Sequence, residues 1–155
     1  MQADSLGETN IFGDRVELRP VSQSDFELLY LWLNNPEIYR WWGGVPIDSE
    51  VVQQKYLGLR RPQIDGYVIE VTGVPIGYAQ RHQTGDHEGS VDLFLVPEMR
   101  GLGYGGDAVN ALARHFAREF HIEPPISLLR RRWKCRDFDR RPPHGAFFMS
   151  RSGPF

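Results

Sequence analysis

Ser90-Val-Asp-Leu-Phe-Leu-Val96, then Pro97-Glu-Met-Arg100, then Gly101-Leu-Gly-Tyr-Gly-Gly106 follow one another in this 155-residue chain. Their order decides the fold. The first stretch, rich in apolar residues, reads as a strand, and Pro97 ends it. The glycines allow a tight turn in which several backbone N–H groups converge. From Asp107 to about Phe120 the period becomes helical, with Val109, Leu112, Ala113, Phe116 and Phe120 on one face. A glycine-rich turn that opens a helix suits phosphate oxygens, because the first-turn donors and the helix dipole point the same way. Arg100 can add a charge-assisted contact. The same residues also suit a plain strand-to-helix turn.

Working outward, Tyr67-Val-Ile-Glu-Val71, Thr72-Gly73 and Pro75-Ile-Gly-Tyr-Ala-Gln-Arg81 read as a tight hairpin. Gln83 to Gly89 is a second turn-rich connection. Upstream, Arg15-Val-Glu-Leu-Arg-Pro20 alternates and ends at proline. Ser22 with Asp25 forms a capping-box pattern ahead of Phe26, Leu28, Leu29, Trp32 and Leu33. Asn34-Asn35-Pro36 stops that helix. A loop holds Trp41-Trp42-Gly43-Gly44, and a second helix opens at Asp48-Ser49-Glu50 and runs to about Leu59, with Val51, Val52 and Tyr56 among its apolar members. The expected order is β-α-α-β-β-β-α. That is an α/β fold of the α+β kind: a mixed, mostly antiparallel sheet flanked by helices.

Composition removes several classes. The turn lacks the Gly-Lys-Ser/Thr ending of a Walker A loop. It follows an antiparallel meander, where a Rossmann fingerprint needs an early βαβ unit. Cys135 is the only cysteine, so an intramolecular disulfide is excluded. No apolar run approaches the roughly 20 residues of a membrane span, and the N-terminal stretch lacks the pattern of a secretory signal. The expected location is cytoplasmic. The formal net charge of −2 hides a division: residues 1–123 carry 18 acidic and 10 basic side chains, whereas 124–155 carry eight basic and two acidic ones.

Arg100-x-x-Gly103-x-Gly105, after a strand and before a helix, resembles the acyl-CoA pyrophosphate motif of the GNAT superfamily of N-acetyltransferases. Leu18-Arg-Pro20, the helix from Asp25 to Leu33 and Pro75-Ile-Gly-Tyr-Ala79 fit the same pattern. Trp41-Trp42-Gly43-Gly44, Ile76-Gly-Tyr-Ala-Gln80 and Val91-Asp92 resemble the aminoglycoside 6'-N-acetyltransferase branch; ribosomal-protein and siderophore-type acetyltransferases share parts of it. The resemblance covers about residues 13–121.

It implies acetyl-CoA as co-substrate and a small-molecule amine, plausibly an aminoglycoside, as acceptor. It implies cofactor-binding roles for Leu95, Val96, Arg100, Gly101, Leu102, Gly103, Tyr104, Gly105 and Gly106, with the amides from Leu102 to Gly106 holding the pyrophosphate. Asp92 is the expected catalytic residue, as the base that takes the amine proton or as the anchor of a cationic acceptor. Its alternative is a solvent-facing strand aspartate. Trp41, Trp42 and Gln80 are expected on the acceptor side. For the tryptophans the alternative is a core cap, with Trp42 nearer the acceptor. Gln80 and Tyr78 share one face of their strand, and core packing is the alternative for Tyr78. His82 and His87 read as solvated, and Asp86 and Glu88 add acidity near the acceptor if their loop overhangs it. No metal, membrane or nucleic-acid partner is expected.

The pattern stops at the tail. Residues 1–121 read as the acetyltransferase core and 122–155 as an atypical Arg/Pro-rich segment, without the Asn and Tyr the family places there. Three readings stay open: a basic tail for an acidic surface, a passive disordered extension, and a reading-frame shift near His121. Trp133-Lys-Cys-Arg-Asp137, back-translated and read one nucleotide later, permits Gly-Asn-Ala-Glu-Ile. The rival function is a catalytically impaired binding protein with a basic interaction tail; a ribosomal-protein-type N-acetyltransferase is the other.

Overall fold

The computed structural model describes the backbone of residues 9–60, 64–85, 88–119, 134–135 and 147–148, and the side chains of 9–60, 64–82 and 91–115. The tail expected at 122–155 therefore lies outside the described residues, apart from the two-residue strands β6 (Lys134–Cys135) and β7 (Phe147–Phe148). Asp86 and His87 lie outside them too, as does the side chain of Glu88.

Five strands form one antiparallel sheet in chain order: β1 (Ile11–Phe12), β2 (Glu17–Pro20), β3 (Ile64–Val71), β4 (Val74–Gly85) and β5 (Glu88–Leu95). Between β2 and β3 stand three helices, α1 (Phe26–Leu33), α2 (Pro36–Tyr39) and α3 (Ser49–Lys55). After β5, a 3-10 turn at Pro97–Met99 leads to the glycine turn and α4 (Tyr104–Glu119). The mixed, mostly antiparallel α+β class expected from the residues is the class observed.

The sheet separates two apolar cores. On one face Leu18, Tyr67, Ile69, Ala79, Leu93 and Leu95 pack with Val109 and Leu112 of α4. On the other, Val68, Tyr78 and Phe94 pack with Leu29, Trp32 and Leu33 of α1, Ile38 of α2 and Val52 of α3. Alternation along each strand sends successive side chains to opposite cores. Tyr78 and Leu93 are wholly buried, one on each face.

Besides β6 and β7, the observed order adds β1 and α2 to the expected one. Two residues are too few for β1 to show a period. The helix α2 is a matter of capping: Asn35 and Pro36 end α1 but also start the next helix. The Asn35 side chain accepts from the Glu37 N–H at 3.0 Å, and Pro36 occupies the first helical position. The helix opening at Asp48 ends at Lys55, short of Leu59, which is exposed. The hairpin β4–β5 is longer than expected, because pairing continues through Gln83↔Gly89 to Gly85↔Glu88. Finally, α4 begins three residues early, so Tyr104, Gly105 and Gly106 form its first turn.

Candidate active site

Strand β5 links two groups of residues. At its end, Val96 donates its N–H to Ile76 O of β4 at 2.9 Å. In an antiparallel ladder, backbone groups of successive residues point to opposite edges. The Leu95 N–H and C=O are thereby turned to the edge away from β4. The Leu95 carbonyl accepts from Arg100 Nε at 2.9 Å, and Arg100 also donates an N–H to Glu37 O at 3.0 Å. The expected phosphate ligand Arg100 thus ties the end of β5 to α2. Burial lowers its pKa to about 10 against the opposing pull of Glu37 and Glu98, so it stays a cation at neutral pH.

The glycine turn follows. Gly103 has φ of +86°, a conformation in which a Cβ is strained, and an added Cβ would also lie 2.6 Å from the Arg15 guanidinium. The Asp107 N–H donates to Gly103 O at 3.2 Å, closing the first helical turn. The N–H groups of Tyr104, Gly105 and Gly106 are then the first-turn donors that helix geometry leaves without an intrahelical carbonyl. Leu102, Gly103 and Gly106 are exposed, Tyr104 is half-buried and Gly105 is buried, so one side of the turn faces solvent.

The second group lies farther back on β5, on the face shared with α1–α3. Asp92 sits opposite Gln80 in the register. Its Oδ2 is 3.5 Å from Gln80 Nε2 and 3.5 Å from His82 Nε2, while Gln80 Nε2 and His82 Nε2 are 2.9 Å apart. The Tyr78 hydroxyl donates to Gln80 Oε1 at 3.4 Å. Beside this polar cluster stands an aromatic wall. Trp42 meets Phe94 edge-on at 5.1 Å between centroids and Tyr78 at 6.3 Å, and Tyr56 meets Tyr78 at 5.6 Å. Trp42 Nε1 donates to Tyr56 Oη at 2.9 Å. Burial and the Asp92 charge raise the Tyr56 pKa, outweighing Trp42 and Arg60, so the phenol keeps its proton.

Of the residues singled out in the sequence, Asp92 and Gln80 are brought together. Trp42 adjoins them through Tyr78 and Phe94. Trp41 stands apart, half-buried, with the Arg40 guanidinium 5.0 Å above its ring. Four residues escaped the sequence reading. His82, expected in solvent, is half-buried against Asp92; strand alternation from Gln80 could have found it. Tyr56 reads in the sequence only as an apolar helix member. Arg15 and Asp107, which hold the glycine turn, gave no local signal. No group of three potential metal ligands occurs among the described residues.

The strand that carries the polar cluster around Asp92 thus runs into a glycine turn and a helix whose first-turn amides lack intrahelical carbonyls. The model of the acetyltransferase (GNAT) domain fits residues 15–136. The chain belongs to the GNAT acetyltransferase family. Within this family, the aminoglycoside N(6')-acetyltransferase type 1 of Klebsiella pneumoniae is 35% identical over 94 residues, 57% of this chain and 47% of that protein. The corresponding protein of Serratia marcescens gives the same figures. The chain spans about half the length of these curated relatives. The structure of AAC(6')-Ib solved in complex with acetyl-CoA superposes on this GNAT chain with a TM-score of 0.64 and 26% identity, over 89% of this chain and 94% of that one.

Proposed function

We propose that this chain transfers the acetyl group of acetyl-CoA to a primary amine, with an aminoglycoside as the acceptor. The observation that carries the reading is the placement on one strand of both halves of such a site. Asp92 lies in a polar cluster beside aromatic rings. Three residues on, roughly 10 Å along a strand, Leu95 turns its N–H to the sheet edge and the glycine turn follows.

The residues fit the co-substrate: the glycine-turn amides from Leu102 to Gly106 suit a diphosphate, and the outward N–H of Leu95 suits the amide-bearing arm. When bound, acetyl-CoA supplies an activated acyl group as a thioester. Arg100 holds the Leu95 carbonyl and thereby the end of β5. The Asp92 carboxylate receives the ammonium form of the acceptor and takes its proton, which frees the nitrogen lone pair for attack. Gln80 and His82 hold Asp92 in place. Trp42 and Tyr56 wall the acceptor side and exclude water. An acidic balance in residues 1–123 favours a polycationic acceptor. The expected consequences are a cytoplasmic enzyme and antibiotic resistance in its host, with residues 1–121 as the working core.

The test is acetyl-CoA-dependent thiol release with a panel of aminoglycosides and polyamines. Asp92→Asn should lower kcat by roughly 10²–10⁴-fold and leave coenzyme A affinity unchanged. Equal loss of both would make Asp92 a structural residue and sink its assigned role.

A further inference from the structure

We propose that Arg15 and Asp107 are positioning residues for the coenzyme turn, and that the turn between β1 and β2 is the brace through which they act. The inference rests on the acetyl-CoA reading above.

The brace is built from backbone outward. Gly13 donates to Val16 O at 2.8 Å, which closes a turn between β1 and β2. The next three N–H groups converge on one carboxylate. Asp14 donates to Asp107 Oδ1 at 2.8 Å, and Arg15 and Val16 donate to Asp107 Oδ2 at 2.7 and 2.9 Å. Hydrogen bonds to a charged acceptor are the strong kind. Gly13 allows the approach, because a Cβ there would lie 2.7 Å from Asp107 Oδ1. Asp107 is the fourth residue of α4, so the turn is pinned to the start of that helix.

Arg15 then reaches back across the glycine turn. One guanidinium nitrogen, Nη2, donates to Leu102 O at 2.7 Å, and the guanidinium carbon lies 4.7 Å from the Tyr104 ring centroid. Leu102 and Asp107 bound the segment that would hold the diphosphate, and this brace grips both ends. A trans peptide points its C=O and N–H in opposite directions. By fixing the Leu102 carbonyl toward itself, Arg15 aims the Gly103 N–H the other way, which a loose glycine turn would not do. Arg15 also returns positive charge to a helix start that carries Asp107, where an uncompensated carboxylate would repel a phosphate.

Arg15→Met keeps an apolar stem against Tyr104 and removes the donor. Calorimetry with coenzyme A should show affinity about tenfold weaker than wild type, the loss expected of a charge-assisted hydrogen bond used to preorganise a site. The KM for acetyl-CoA should rise by the same factor at unchanged kcat. The KM for S-acetyl-pantetheine, which lacks the diphosphate, should stay at the wild-type value, and Arg15→Lys should recover part of the loss. Equal weakening toward both donors, or coenzyme A affinity equal to wild type, overturns the inference. Should Arg15→Met fail to fold, Asp107→Asn carries the same comparison of donors. A wild-type chain that binds no coenzyme A overturns the acetyl-transfer reading and this inference together, whereas a wild type that binds and a variant that binds equally well overturns the inference alone.

Discussion

Gly77 lies on β4 directly opposite Leu95, where the backbone of β5 leaves no room for a side chain. A Cβ added at Gly77 would overlap the Phe94 carbonyl oxygen, lie 2.9 Å from Leu95 Cδ2 and stand 3.1 Å from Leu95 Cα. Ordinary contact begins near 3.4 Å, and two of these three neighbours are backbone, which cannot swing aside. Gly77→Ala must therefore push β4 and β5 apart next to the Val96 N–H···O Ile76 bond. Overpacking of this kind costs about 1–3 kcal/mol. For a domain of this size that lowers Tm by roughly 2–4 °C per kcal/mol, and backbone overlap puts the expected value in the upper half of the range. The assay is urea unfolding, with a lower midpoint at unchanged slope. Gly106→Ala is the internal control. Nothing lies within 4 Å of its added Cβ, and it sits in the first turn of α4. It should be neutral or stabilising by up to about 1 kcal/mol. A Gly77→Ala chain within about 0.5 kcal/mol of wild type would refute the close approach of the two strands at the donor end of the site.

Further outcomes follow from individual contacts. Tyr56→Phe removes the acceptor of the Trp42 indole N–H and should cost about 1 kcal/mol, with a shift in tryptophan emission; no change in either would put Trp42 elsewhere. Burial raises the Asp25 pKa, but hydrogen bonds from Arg19, at 2.9 and 3.0 Å, and from the Ser22 N–H, at 2.8 Å, outweigh it and leave it below the ordinary value. A depressed carboxylate stabilises the fold above its unfolded pKa, near 4, and that stability is lost as pH falls through the folded value. Asp25→Asn should therefore be less stable than wild type at pH 6 and draw level as the pH is lowered below 4. A gap that does not narrow in urea midpoints would contradict the ion pair. Arg100→Gln should lose the ties to Leu95 O and Glu37 O at a cost of roughly 1.5–3 kcal/mol. Its deficit should be constant from pH 6 to 9, because burial lowers the guanidinium pKa only to about 10.

What the sequence disclosed was local. A strand closed by Pro97, a glycine run and a helical period are signals within a few residues of one another, and they located the turn. Asn35-Pro36 misled because a helix stop and a helix start share the same residue types. The Asp92–Gln80 pairing needed only strand alternation and hairpin register. His82 needed the same logic carried two residues farther, but the run of turn residues after it suggested a loop where the ladder in fact continues to Gly85. Arg15 and Asp107 could not be paired from sequence: the contact spans 92 positions and joins an edge turn to a helix start. Arg100 shows the reverse limit. A cation beside a glycine turn suggests a phosphate ligand, and no local signal shows that its guanidinium also donates to the carbonyls of Leu95 and Glu37, contacts set by tertiary packing.

Acetyl-CoA binding followed by transfer tests the central claim most directly. The 155-residue chain, titrated with acetyl-CoA by calorimetry and then mixed with an aminoglycoside, should bind one equivalent and release free thiol only when the amine is present. Saturable binding with amine-dependent thiol release is the predicted result. A chain that is folded and binds no acetyl-CoA, or binds it and releases no thiol with any amine in the panel, contradicts the account.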